Sequence, residues 1–370
     1  MPRSGDIGDL LVLGIESSCD DTAAAVVLSR RDGSREVLSN VSVAQYDRHA
    51  AYGGVVPEIA ARAHVERIDA IIAQAINQSE QVYSDLNAIA ATAGPGLIGG
   101  VMVGLTAAKA LALSHSKPLV PVSHLEGHAL SVRMTDDADF PYLLLLISGG
   151  HTQLVEVLDV GSYRRLGTTI DDAAGEAFDK SAKLLGLGQP GGPMIESAAR
   201  LGITDRFSFP KPLARREGCD LSFSGLKTAL RLQAEAILAP TADDVADLAA
   251  SFQAAIAGHI ADRTERAMEL IESLQPARTL VVAGGVAANS EIRSRLDVLA
   301  EARGWRLVIP PARFCTDNGA MIAWAGIERL RKGLAPSINE ALAFAPRARW
   351  PLAEPVAGRK HGGGKKGPKA

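Results

Sequence analysis

The residues best suited to chemistry are two histidines four positions apart, in Ser123-His124-Leu125-Glu126-Gly127-His128. The preceding Leu119-Val120-Pro121-Val122 reads as a short strand. Ser123 then stands where a helix N-cap belongs, with Glu126 three residues on. That is a capping-box pattern, so a helix is expected to begin here. Positions i and i+4 share a helix face, which lets both imidazoles address one spot. Neutral imidazole is a common metal ligand. The pattern is not that of a zinc protease. H-E-x-x-H puts the general base directly after the first histidine, where this chain has Leu125. The inverted H-x-x-E-H fails because Gly127 precedes the second histidine. A metal that holds a ligand fits better than one that splits a peptide. Two histidines need a further ligand. Asp317 is the candidate, after a strand at Arg306 to Ile309 and a loop at Pro310 to Thr316. It reads either as a helix N-cap or as the carboxylate of a site suited to iron(II) or zinc.

Other constellations lie on an alternating frame. Leu10 to Glu16 reads as a strand, Ser17 to Thr22 as a polar turn and Ala23 to Leu28 as the returning strand. Tyr142 to Ile147, Ser148-Gly149-Gly150-His151 and Thr152 to Leu158 repeat the device. Small or polar turns of this kind offer backbone N–H groups to phosphate. Their recurrence about half a chain apart predicts a duplicated α/β domain with a cleft between the halves. Gly284-Gly285-Val286-Ala287-Ala288-Asn289 closes the strand Thr279 to Ala283. It reads either as a helix-packing glycine pair or as a place where ribose or phosphate meets backbone. It is not G-x-G-x-x-G, so a dinucleotide reading is weak. Asp172, Glu176 and Asp179 share a face of a helix expected over Ala173 to Leu185, either a solvated acidic face or a ribose- or magnesium-holding one. Gly191-Gly192-Pro193 with Glu196 has the same two readings.

The remaining elements must position these residues. Pro57 to Asn77 reads as a long amphipathic helix and Ile89 to Ala93 as a buried strand. Gly94-Pro95-Gly96 breaks that strand before a helix at Leu97 to Leu113. A shorter helix follows at Met194 to Leu201, a long helical region of two helices at Thr241 to Ser273, and a helix at Asn318 to Arg331. Strands alternating with helices predict an α/β fold.

The chain has 370 residues, 47% of them hydrophobic and 22% charged, enough for two domains. Its 36 glycines suit tight turns and close backbone approach. Cys19, Cys219 and Cys315 have no metal-type spacing, which predicts a reducing compartment and no disulfide framework. Met1 to Asp9 lacks an apolar stretch, so no secretory signal is expected. No apolar run reaches membrane-spanning length. The net charge is −3, but Arg359, Lys360, Lys365, Lys366 and Lys369 crowd a Gly/Lys-rich tail. The rest of the chain is therefore more acidic than that figure. The tail reads as disordered, either a solubilising end or an electrostatic contact with RNA.

Together the motifs carry a specific resemblance. They are Gly14-Ile15-Glu16-Ser17-Ser18-Cys19-Asp20-Asp21-Thr22, Gly53-Gly54-Val55-Val56-Pro57-Glu58, His124 to His128, Ser148 to Thr152, Asp171 to Lys180, Gly191-Gly192-Pro193, Ser222 to Lys227, Gly284 to Asn289 and Cys315-Thr316-Asp317-Asn318-Gly319. In this order, from about Leu10 to about Leu342, the chain resembles the bacterial tRNA adenosine threonylcarbamoyltransferase family, once described as O-sialoglycoprotein endopeptidases. The resemblance implies an α/β, duplicated two-lobe actin-like/Hsp70/sugar-kinase ATPase fold with a nucleotide cleft. Its N-terminal lobe would span 10–123, completed by C-terminal helices near 318–344. Its second lobe, with metal and nucleotide site, would span 124–317, and a disordered basic tail 352–370.

The implied reaction moves threonylcarbamoyl from threonylcarbamoyl-AMP to the exocyclic amine of the adenosine 3′ of the anticodon, in tRNAs reading codons that begin with A. His124, His128 and Asp317 would hold Fe2+ or Zn2+. Leu146, Ile147, Ser148, Gly149, Gly150, Asp179, Gly192, Glu196 and Asn289 would bind the adenylate, or ATP/ADP. Such a substrate is already activated, so no nucleophilic Ser or Cys is required. Asp20 or Asp21 is read as a general base toward the attacking amine or as a turn-stabilising acid. The implied partners are tRNA, an inactive paralogue forming a heterodimer (TsaB-like) and a small P-loop ATPase (TsaE-like), in the cytoplasm and without a membrane. A metalloprotease, a non-catalytic nucleotide-binding scaffold and a sugar or acetate kinase are the alternatives.

Overall fold

The computed structural model describes residues 8–49, 52, 54–274 and 278–353. The basic tail expected over 352–370 lies outside the described residues from position 354 on. From the N-terminus come β1 (Leu10–Glu16), β2 (Asp21–Ser29), β3 (Arg35–Ala44), α1 (Tyr46–His49), α2 (Pro57–Gln78), β4 (Ala88–Gly94), α3 (Ile98–Ser114), β5 (Leu119–Ser123) and α4 (His124–Thr135). Next are β6 (Tyr142–Ile147), β7 (Thr152–Asp159), β8 (Ser162–Thr168), α5 (Ala174–Leu184), α6 (Gly191–Ala199), α7 (Ser224–Glu235) and α8 (Ala242–Glu272). Then come β9 (Thr279–Ala283), a 3-10 turn at Gly285–Ala288, α9 (Ser290–Arg303), β10 (Arg306–Val308) and α10 (Ala312–Cys315). The chain closes with α11 (Gly319–Arg331) and α12 (Ile338–Ala343).

Two compact units result. One takes the chain up to Asp137 together with Thr316–Leu352, the other Ala138–Cys315. Each is built on a five-stranded sheet of the same plan, β3-β2-β1-β4-β5 in the first and β10-β9-β6-β7-β8 in the second. In the first, β1 and β2 pair antiparallel from Leu10↔Ser29 to Glu16↔Ala23, and β4 runs parallel to β1. In the second, β6 and β7 pair antiparallel to Ile147↔Thr152, and β9 runs parallel to β6. The two hairpins legible in the sequence are thus the first two strands of a duplicated α/β unit.

The central strands are buried end to end because both sheet faces are covered. Strand alternation divides β1. Leu11, Leu13 and Ile15 pack with Ile68, Ile71 and Ile72 of α2 and Leu105 of α3. Val12, Gly14 and Glu16 take the opposite face, toward α11. A Cβ on Gly14 would lie 2.2 Å from the carbonyl oxygen of Gly319, so this glycine lets the start of α11 rest on β1. In the second unit Leu143, Leu145 and Ile147 pack with Phe178, Phe252, Leu280 and Val282.

Three expectations are corrected. The boundary read at 123/124 lies after α4, which belongs to the first unit. Glu126–Arg329 (2.9 Å) and Arg133–Glu328 (2.8 Å) ion pairs bind α4 to α11 there. The region read as two helices is the single 31-residue α8. Gly258 does not interrupt it, because Ile256, Ala257 and Ile260 around it are core residues and packing outweighs propensity. The capping box expected at Ser123 does not form. Among the described residues its hydroxyl has no hydrogen-bond partner, and Glu126 accepts from Arg329 instead. Among the described residues no helix is long and apolar enough to cross a membrane.

Candidate functional site

The strand-to-helix turn at Ser123 puts His124 and His128 on one face of α4, with ring centroids 4.7 Å apart and ring planes nearly perpendicular. Asp317 stands just ahead of α11, where the neighbouring Asn318, not Asp317, caps the helix through Met321 N. Its Oδ1 lies 3.0 Å from His128 Nε2 and 3.6 Å from His124 Nε2. One donor atom from each of the three falls within 4.8 Å of the others. Both histidines are buried, whereas the Asp317 side chain is 23% exposed. Two nitrogens and one carboxylate oxygen converge, and solvent can reach the third.

Acidic groups surround this triad. Glu16, at the end of β1, lies 3.0 Å from His124 Nδ1. Asp21, the first residue of β2, is partly buried, and its Oδ1 has no hydrogen-bond partner among the described residues. Burial, reinforced by Asp317, Asp20 and Glu16, pushes the Asp21 carboxyl up to about 8. Burial would lower His124, but the Asp317 and Glu16 carboxylates outweigh it and hold the imidazole up at about 9. A proton thus supplies positive charge that the carboxylates demand, and a divalent cation would supply it better. The donor set and its charge balance fit a metal of the iron or zinc type. Burial and Asp20 push the Cys19 thiol well above its usual range, so the turn holds no activated thiol nucleophile. The protease reading finds no base at the motif position. Leu125 is buried in the core, and Glu126 is paired with Arg329.

The residues read as an adenylate set lie together at one end of the second unit's sheet. A Cβ on Gly284, at the end of β9, would lie 2.4 Å from the carbonyl oxygen of Ile147, so the ends of β6 and β9 abut. Ser148 O accepts from Gly175 N (3.2 Å) at the start of α5, while Gly149 and Gly150 stay exposed. Asp179 Oδ1 accepts from Gly191 N (2.8 Å) at the start of α6, beside Gly192. Glu196 accepts from the Ser290 hydroxyl and amide, tying α6 to α9. Asn289 caps α9 through Ile292 N and donates to Gln253. These strand ends and helix starts present the carboxyl edge where α/β folds take ligands. The shared acidic face does not persist as read. Asp172 precedes α5 and pairs with Lys180 (2.9 Å) and Lys227 (2.6 Å), whereas Asp179 turns to Gly191.

Residue-level reading missed Glu16, Thr92 and His64. Thr92 Oγ1 donates to Glu16 (2.5 Å), and His64 of α2 backs the Asp20-Asp21 turn through Cys19 O (3.1 Å) and Thr22 (2.7 Å). The signal for Glu16 was present. It is the one charge in an otherwise apolar strand.

The model of the family described as TsaD, tRNA N6-adenosine threonylcarbamoyltransferase, matches residues 36–324. A protein of that name from Chelativorans sp. is 57% identical over 97% of this chain and 99% of its own length. Another, from Agrobacterium fabrum, is 54% identical over 98% and 99%. Among solved structures, T. kodakarensis HypF aligns over 90% of this chain and 49% of its own with a TM-score of 0.58 at 18% identity. A full-length HypF in phosphate- and nucleotide-bound form aligns over 91% and 57% with a TM-score of 0.56 at 12% identity. At those identities the HypF likeness shows the fold alone, the actin-like ATPase type. The sequence likeness goes further, since the matched span holds His124, His128 and Asp317 and two near-full-length relatives share more than half their residues with it. The chain belongs to the TsaD family, the tRNA N6-adenosine threonylcarbamoyltransferases.

Proposed function

We propose that the chain transfers the threonylcarbamoyl group from threonylcarbamoyl-AMP to the exocyclic amine of the adenosine 3′ of the anticodon, in tRNAs reading codons that begin with A. The observation that carries this is family membership joined to a two-His, one-Asp group that does not follow the zinc-protease motif. The amine nitrogen attacks the carbamoyl carbonyl carbon. The bond from that carbon to the phosphate oxygen breaks, and AMP leaves with the electron pair. The nitrogen's proton passes to Asp20 or to the ionised fraction of Asp21 in the β1–β2 turn, and the Asp21 value of about 8 makes that fraction a stronger base than an ordinary carboxylate. His124, His128 and Asp317 would hold Fe2+ or Zn2+, which would supply positive charge for the phosphate or the carbamoyl oxygen. Leu146 to Gly150, Asp179, Gly192, Glu196 and Asn289 hold the adenylate, so that positioning does most of the work for a weak aromatic amine. Its partners are tRNA, an inactive paralogue in a heterodimer and a small P-loop ATPase, in the cytoplasm.

The test combines the chain and its partner proteins with threonylcarbamoyl-AMP and unmodified tRNA. Mass spectrometry of the digested tRNA then looks for threonylcarbamoyladenosine. Product is expected from the wild-type chain, with loss of at least 100-fold in His124→Ala and in an Asp20→Asn, Asp21→Asn double variant. No product beside an active homologue would return the chain to a nucleotide-binding scaffold. Full activity in the double variant would remove the two aspartates from the chemistry.

A further inference from the structure

A metal-bound histidine is only as well placed as the partner of its other ring nitrogen. His124 and His128 differ sharply in this respect. His128 Nδ1 is buried with no hydrogen-bond partner among the described residues. His124 Nδ1 lies 3.0 Å from Glu16 Oε2 and 3.1 Å from Ser18 Oγ. Glu16 is wholly buried, and among the described residues no Lys or Arg pairs with it. Its Oε1 accepts from Ser18 N (2.5 Å), and its Oε2 also accepts from Thr92 Oγ1 (2.5 Å). Burying a carboxylate without a cation beside it is costly, and this one is aimed at a single imidazole.

We propose that Glu16 is the positioning residue of the metal centre, holding His124 so that Nε2 faces Asp317 and the ion. This rests on the metal reading of the triad. A carboxylate accepts hydrogen bonds, so the proton of the neutral ring sits on Nδ1 and the lone pair on Nε2. The bond also fixes the ring plane and makes Nε2 a stronger donor. The fold supplies the placement, because Glu16 shares its strand face with Gly14, which seats the start of α11 and hence Asp317. Thr92, on the neighbouring parallel strand β4, keeps the carboxylate from swinging away. His128, without such a partner, is the less firmly held ligand.

The experiment is a Zn2+ titration of the full-length metal-stripped chain against a chromophoric chelator, with melting of the metal-free protein measured in parallel. The wild-type chain is expected to bind one equivalent, and Asp317→Ala to abolish it. Glu16→Gln keeps the size of the side chain and removes the charge. It is expected to weaken Zn2+ binding by about 10- to 100-fold, without lowering the melting temperature of the metal-free protein. A part played only in holding the turn gives the reverse, a lower melting temperature with unchanged affinity, and overturns the proposal. If Glu16→Gln does not fold, Thr92→Val decides, because it loosens the carboxylate without removing it. A several-fold loss of affinity supports the proposal and wild-type affinity overturns it. A wild-type chain without Asp317-dependent Zn2+ binding overturns the metal reading itself, whatever Glu16 does.

Discussion

Asp21 and His259 are both ionisable groups that burial pushes toward neutrality, and they serve opposite ends. Around Asp21 the neighbours Asp317, Asp20 and Glu16 are acids, and the proposed cation would relieve the strain. Around His259 of α8 burial acts first, and Arg263 adds to it, bringing the imidazole down to about 4. Arg266 acts in the same direction, while Asp262 and Asp171 oppose it. The neutral ring has a task, since its Nε2 accepts from Ser222 N (3.1 Å) where the chain enters α7. Asp171 completes that entry by accepting from the Phe223 and Ser224 amides (2.8 and 3.2 Å). Between pH 6.5 and about 4 the unfolded chain binds a proton on His259 that the folded chain refuses. Stability therefore falls as pH drops through that window, by up to about 3 kcal/mol for a shift of this size. His259→Gln keeps an acceptor and removes the titration. Urea melts of the two proteins at pH 7 and pH 4.5 should show a shallower acid loss in the variant, by about 2 kcal/mol. Equal losses would mean that His259 titrates normally.

At the scale of elements, the proposed metal triad depends on how α4 and α11 are set along each other. Their contact is close at Gly127, where a Cβ would lie 2.9 Å from Ile322 Cδ1. It is locked by two ion pairs of opposite sense, Glu126–Arg329 and Arg133–Glu328. Glu126 and Glu328 are almost wholly buried, so an unmatched charge there is expensive. Arg329→Glu alone should destabilise the protein by about 3 kcal/mol and weaken Zn2+ binding, because the ligands lose their register. Adding Glu126→Arg should restore most of both. A double variant as weak as the single one would mean that the pair has no part in register. None of this was legible in the sequence, where Glu126 looked like half of a capping box. Its true partner lies 203 residues away, and a local rule cannot see it. The hairpins were legible because Leu10 to Ile15 and Tyr142 to Ile147 are unbroken apolar runs. β3 and β8 lie at the sheet edges and are mostly only partly buried, so Arg35, Glu36, Ser42, Arg164 and Arg165 dilute the apolar signal. The unity of α8 was hidden by Gly258, whose tolerance comes from packing.

For the molecule as a whole, each unit gathers one set of candidate site residues from distant stretches of chain. Residues 16–21, 124–128 and 317 meet in the first, and 146–150, 179–196 and 284–290 in the second. The histidine pair was legible from its spacing. Asp317 followed only from its place at a strand-to-helix junction, and Glu16 stayed hidden because strand alternation shows a face without saying what covers it. Joining distant stretches has a thermodynamic consequence. If the triad holds an ion as proposed, any opening that parts α4 or the start of α11 must first lose it, so binding would lower the population of every such opening by the factor 1 + [L]/Kd. With free Zn2+ at about 100 times Kd this is a factor of about 100, or about 2.7 kcal/mol. Amide exchange should therefore slow by up to that factor in the Glu16–Ser18 turn, the body of α4 and the first turn of α11. Saturating AMP should instead slow exchange at Ser148–Gly150, the first turn of α6 and Gly285–Ile292. The measurement is hydrogen exchange by mass spectrometry on the metal-free chain, with Zn2+ and AMP added separately. Zn2+ protection centred on Ser148–Gly150, or AMP protection centred on α4, would exchange the roles assigned to the two units. Protection by Zn2+ that survives Asp317→Ala would mean that the ion is held elsewhere.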